Sequence, residues 1–169
     1  PDVEEDSPLR AEIIAAAEEK GIPVRFIREE ERFHLTREGD TVTVLPPLAE
    51  EGTANELGLT VLVSHKTLDV LITGDMEAEG ERRLVETADL PDVEVLVAGH
   101  HGSNTSNTPE LIEAVKPDLA LISVGQDNKY GHPAQETLER LDGAGAEIHR
   151  TDLYGTIEVQ LREEPQGRV

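Results

Sequence analysis

Two adjacent histidines, His100 and His101, stand where an apolar run from Val93 to Val97 breaks at Gly99. Gly102 and the small polar residues Ser103 to Ser106 follow. The first part has the composition of a buried strand. The second is a loop carrying imidazoles at that strand's end, where open α/β sheets place their ligands. Similar polar residues mark other strand ends: Asp75 after Thr73-Gly74, Asn128 and His132 around Lys129-Tyr130-Gly131, and Asp152 after Thr151. A carboxylate with imidazoles on one rim makes a hard or borderline metal site. Such a site acidifies bound water and clamps an anionic substrate. Each residue also has an ordinary reading. Asp75 could cap the next helix, His132 could sit at another cap, and Ser103 to Ser106 could be turn residues. Their recurrence at one rim points to a site.

Those strand ends need a scaffold, and the sequence outlines it. Ser7-Pro8 starts a helix whose Leu9, Ile13, Ile14 and Ala17 share a face, and Gly21 ends it. Ile22 to Ile27 reads as a strand. Phe33 to Leu35 and Thr41 to Leu45 read as a hairpin around Glu38-Gly39-Asp40, closed by Pro46-Pro47. An acidic loop over 48–58 leads to a second hairpin, Leu59 to Val63 and Leu68 to Ile72. From Leu68 a strand–loop–helix pattern repeats. Helices are expected at Glu77 to Thr87, at Pro109 to Val115 with Thr108 as cap, and at Pro133 to Leu141 before Gly143. Strands are expected at Val93 to Val97, Leu119 to Ile122, Glu147 to Arg150 and Gly155 to Leu161. The pattern predicts an α/β fold (α+β in some schemes), a mixed sheet with helices on one face. The expected core includes Ile14, Val61, Leu71, Val95, Leu96, Leu121, Leu138 and Val159. His34 and His65 read as structural or solvated.

Composition sets limits. The 169 residues suffice for one domain, with 1–6 and 163–169 as tails. There is no cysteine, so any metal must use His, Asp and Glu, which suits zinc or manganese. No apolar run reaches membrane-spanning length and no signal-peptide pattern opens the chain. With 36 Asp+Glu against 15 Lys+Arg, the net charge is -21, a field that repels nucleic acid. The acids avoid the rim, however. Ala98 to Pro109, Leu119 to Gln126 and Asn128 to Gln135 contain none, and Lys129 is the one Lys or Arg in those stretches.

Four strings carry a family likeness: TGDMEAEGE, VLVAGHHGSNTS, P-D-L-A-L-I-S-V-G-x-x-N-x-Y-G-H-P and RTDLYGTI. In this order and spacing the chain, from about Ser7 to Leu161, resembles the carboxy-terminal metallo-β-lactamase-fold domain of the ComEC family of DNA-internalisation competence proteins. The resemblance implies an αββα sandwich with two divalent metal ions, zinc or manganese. It implies that Asp75 bridges both metals and that His101 is a ligand. His100 would lie beside the site or contact phosphate. His132 would stabilise charge on a phosphoryl oxygen, with Ser103, Asn128 and Tyr130 as further substrate contacts. In the family, this domain is proposed to degrade one DNA strand while the other enters the cell. The parent would be an integral protein of the cytoplasmic membrane, with this soluble domain on the outer face beside a transmembrane channel domain.

Two departures from the family pattern follow. Asn55-Glu56-Leu57 is followed by Gly58 where the family usually has Ser. The fold's main metal motif, H-x-[HD]-x-D-H, is not in the chain. The resemblance then implies mainly the carboxy-terminal half of the domain. Alone it would be inactive and hold metal weakly or not at all. Its open sheet face would meet the amino-terminal half, a separate chain or a second copy. The alternative readings are a metal-free module that binds DNA or competence proteins, and a hydrolase of small phosphoesters.

Overall fold

The computed structural model describes residues 8–35, 39–48 and 53–161. Ser7, the Glu38 turn position, part of the acidic loop and both expected tails lie outside them. The elements run α1 (Pro8–Glu19), β1 (Glu31–His34), β2 (Thr41–Leu45), β3 (Thr60–His65), β4 (Leu68–Ile72), α2 (Ala78–Thr87), β5 (Val95–Val97), α3 (Pro109–Val115), β6 (Leu119–Ile122), α4 (Gln135–Gly143), β7 (Glu147–Arg150) and α5 (Thr151–Tyr154). The fold is mixed α/β. All seven strands form one sheet in chain order.

The sheet changes character at β4. Short connections make β1 to β4 an antiparallel meander. Helical crossovers make β4 to β7 parallel. The four parallel strands therefore finish at one edge; β4, β5 and β6 are followed there by loops and β7 by α5.

Register divides the sheet into two unlike faces. Leu62, Leu71, Leu96, Ala120 and Ile148 are paired across consecutive strands. They join Met76 and Leu84, Leu111, Ile112 and Val115 of α3, and Leu141 of α4 in one core. Leu71, Leu84, Leu96 and Leu141 are wholly buried. Each contributes roughly 1.5–3 kcal/mol relative to exposure. On the other face, Val44, Val61, Ile72, Val97 and Leu121 form one row. Phe33, Val42, Val63, Val70, Val95 and Leu119 form a second. Of these two rows only Val95 is buried.

The structure corrects several sequence expectations. Residues 22–27 and 155–161 form no strand, because neither stretch pairs with the sheet, and a strand exists only through its ladder. Val159 is accordingly exposed. Ile14 is half-buried, and α1 buries no residue. Val61 and Leu121 are half-buried because register turns them to the open face. Leu138 is half-buried against the core, while Leu71, Val95 and Leu96 are buried. Helix α3 starts as expected, with Thr108 Oγ1 accepting the Leu111 N–H at 3.3 Å.

Candidate functional site

The histidine pair lies in a 3-10 turn, Gly99–Gly102, directly after β5. Both histidines are left-handed, His100 at φ 49° and His101 at φ 56°. Side chains with a Cβ pay for that conformation, so the surroundings must impose it. Gly102 continues it at φ 80°, where a Cβ would come within 2.7 Å of Pro133 Cβ. Only glycine satisfies both conditions. A Cβ on Gly99 would meet Thr73 Oγ1 at 2.8 Å.

A buried polar network holds the following loop. Glu81 of α2, fully buried, accepts the Asn107 N–H at 2.6 Å and the Thr108 N–H at 2.7 Å. Burial pushes the Glu81 carboxyl up, against the pull of those two N–H groups. The Asn107 amide returns to Gly99, binding both its N–H and its carbonyl. Ser106 donates to the Met76 carbonyl at 2.6 Å, and Thr137 to the Ser103 carbonyl at 2.8 Å. Arg140 of α4 donates to the carbonyls of Asn104, Ser106 and Asn107. Three segments thus converge on one loop and leave it little freedom.

The network presents the imidazoles to Asp75. His101 Nε2 lies 3.7 Å from Asp75 Oδ1. Its Nδ1 is 2.8 Å from the Ser123 carbonyl, so Nδ1 is a donor, and in the neutral ring Nε2 is the nitrogen with a free lone pair. Asp75 does not cap α2; the cap position is Glu77. His100 Nδ1 lies 3.8 Å from Glu77 Oε1. That nitrogen is buried without a hydrogen-bond partner among the described residues. The His132 ring centroid is 5.7 Å from that of His100. Desolvation, then the charges of His100 and His101, lower the His132 pKa.

The loop after β6 is shaped by Asn128. Its Oδ1 accepts the N–H groups of Tyr130 and His132 at 3.2 and 3.0 Å. Its Nδ2 donates to the carbonyls of Gly125 and His132 at 3.0 and 2.7 Å. Both acceptor positions and both donors are therefore used on backbone. Tyr130 stacks on His132 at 5.9 Å and 17°. A cavity of about 420 Å³ opens beside them, lined by His101, Ser123, Val124, Gly125, Asn128, Tyr130, His132 and Thr151. No Asp or Glu lines it, in a chain of net charge -21.

Asp75, His100, His101, His132, Asn128 and Tyr130 are thus gathered at one edge. Ser103 is not on the cavity wall; it is buried, with Oγ 3.0 Å from Thr105 Oγ1. Asp152 is engaged by Arg150 at 2.6 and 3.1 Å, which lowers its pKa. Sequence reading passed over Glu81 and Asn107. Glu81 does carry a signal, a carboxylate three residues before Leu84 on the buried face of α2. Asn107 sits among Ser, Thr and Asn and carries none.

As metal donors, Asp75 and His101 fit part of a ligand set. An oxygen and an imidazole lone pair close together suit zinc or manganese. A catalytic zinc usually takes about three protein ligands. Among the described residues no three His, Asp or Glu side chains converge to hold one. Nor, among them, is any helix long and apolar enough to cross a membrane.

No protein-family model matches the chain. It is similar to ComE operon protein 3 of Bacillus subtilis, 28% identical over 155 residues, covering 92% of this chain and 20% of that protein. Competence protein ComA of Neisseria gonorrhoeae is 32% identical over 142 residues, 83% of this chain and 18% of that protein. Recombination protein 2 of Haemophilus influenzae is 36% identical over 107 residues, 63% of this chain and 13% of that protein. The chain spans about a fifth of the length of the first two. Over most of its length it is therefore similar to one segment of bacterial competence proteins, as its motifs led us to expect.

Proposed function

We propose that this chain supplies part of the active site of a metal-dependent phosphodiesterase that hydrolyses DNA within a competence protein, on a metallo-β-lactamase-like fold. The observation that carries the reading is the Asp75–His101 pair, with His101 Nε2 3.7 Å from the carboxylate oxygen and Nδ1 engaged on the Ser123 carbonyl. Asp75 and His101 would hold metal, and the remaining ligands would come from protein outside these residues. When bound, two divalent ions activate water and neutralise the scissile phosphate.

The rest is done by the chain's own residues. His132 donates a hydrogen bond to a phosphoryl oxygen, and its lowered pKa keeps it a neutral donor over a wider pH range. His100, between Glu77 and His132, lies beside the reacting phosphate. Asn128 fixes the loop that carries His132. The acid-free cavity admits an anionic backbone that the rest of the surface repels. Manganese- or zinc-dependent cleavage of DNA by the complete protein, lost on chelation and in Asp75→Asn, is the expected result. Cleavage that chelators leave intact would refute the proposal. DNA binding without cleavage, with metal absent, would favour a metal-free module.

A further inference from the structure

We infer that Tyr130 is a stacking platform for a nucleobase next to the phosphate in the cavity, which makes the site selective for unpaired strands. This rests on the phosphodiesterase reading and adds a substrate feature to it. The chain has only two Tyr, two Phe and no Trp. Nevertheless Tyr130 is 83% exposed at the rim of the cavity. It is not a loose surface ring. Its plane is within 17° of the His132 ring, with centroids 5.9 Å apart, and its backbone N–H is held by Asn128 Oδ1. The same Asn128 oxygen accepts the His132 N–H, so the backbone that carries phenol and imidazole is held at one point. Most of the phenol is left to solvent. A large apolar ring presented this way gains nothing for the fold. It offers a π-face beside a cavity free of carboxylates. Bases stack on such rings whatever their identity. In a duplex the faces of a base are already covered by its neighbours, so only an unpaired or terminal base can use the platform.

The test uses this chain and two oligomers of equal length at low salt, oligothymidylate and its abasic counterpart. The parent should bind oligothymidylate more tightly. Tyr130→Ala should weaken that binding by roughly tenfold or more, and leave the abasic oligomer unchanged. Tyr130→Phe should restore the affinity. Tyr130→Trp places one tryptophan in the chain, and oligothymidylate should quench its fluorescence while the abasic oligomer does not. Equal affinity of the parent for both oligomers, or equal losses in Tyr130→Ala, would overturn the stacking role and leave the phosphodiester reading standing. Binding of neither oligomer would likewise overturn the stacking role.

Discussion

Asn107 grips Gly99 by both of its backbone groups: Oδ1 accepts the Gly99 N–H at 2.8 Å, and Nδ2 donates to the Gly99 carbonyl at 2.9 Å. The two residues lie on either side of the histidine turn, so this clasp closes the loop around His100 and His101. All four groups are buried. Two consecutive left-handed histidines store strain, and strain persists only where surrounding contacts over-determine it. The clasp is one such contact, and Glu81 makes it stronger by fixing the Asn107 N–H.

Asn107→Ala should therefore be costly although the residue touches no substrate. It removes two hydrogen bonds and strands a buried donor and acceptor on Gly99, a loss of about 3 kcal/mol. Urea unfolding measures it. A loss below about 1 kcal/mol would mean that the loop closes without the clasp.

Glu81 should leave a mark on the pH dependence of stability. Burial raises its pKa above the ordinary value of 4.5. Above that pH the unfolded chain releases a proton that the folded chain still holds. The Glu81 contribution is fully present below about 4.5 and is lost as pH rises through the folded pKa. Glu81→Gln removes the titration, so its stability should fall less steeply with rising pH than the parent's. Identical slopes from pH 4.5 to 7 would contradict the raised pKa.

Asp75 and His132 should separate in the complete protein. Asp75→Asn removes the charge and one oxygen from the carboxylate that we propose holds metal, so zinc or manganese content should drop with activity. His132→Ala should keep the metal and slow turnover by about 10²–10³-fold, as for loss of one charge-stabilising donor. Metal analysis of both variants decides. An empty site in His132→Ala and a full one in Asp75→Asn would reverse the two assignments.

How much of this was legible in the sequence depends on the range of the interaction. The parallel half of the sheet was readable because each strand, loop and helix is a local pattern with its own cap or glycine, as at Thr108. The rim residues are readable for the same reason, since each lies in a segment between one strand and the next helix. Residues 22–27 and 155–161 were misread because a β-like pattern promises a strand only if a partner is available. Apolar pattern places Val61 and Leu121 in the core, whereas register turns them to the other face of the sheet. Apolar composition alone cannot say which face of a sheet is covered. The partnership of Glu81 with Asn107 spans 26 residues and leaves no local trace.

The open face leads to the last prediction. Val44, Val61, Ile72, Val97 and Leu121 lie side by side across five strands, next to Val42, Val63, Val70 and Leu119, and none of them is buried. These side chains are half-buried, and an apolar sheet face left partly uncovered suits an interface. In the proposal above it receives the protein that completes the metal site. The isolated chain should therefore associate with itself in solution, bind zinc and manganese weakly and fail to cut DNA. Lysine at Val63 and Val97 should reduce the association without loss of helix content, because both side chains point away from the Leu62–Leu71–Leu96 core. Light scattering on parent and double variant, with metal analysis and a cleavage assay on the parent, tests all three points. A monodisperse parent monomer that binds two metals tightly and cleaves DNA would show that the ligand set is already complete. The missing donors would then have to be sought among His34, His65 and His149, of which His65 now pairs with Asp40 and His149 with Glu147.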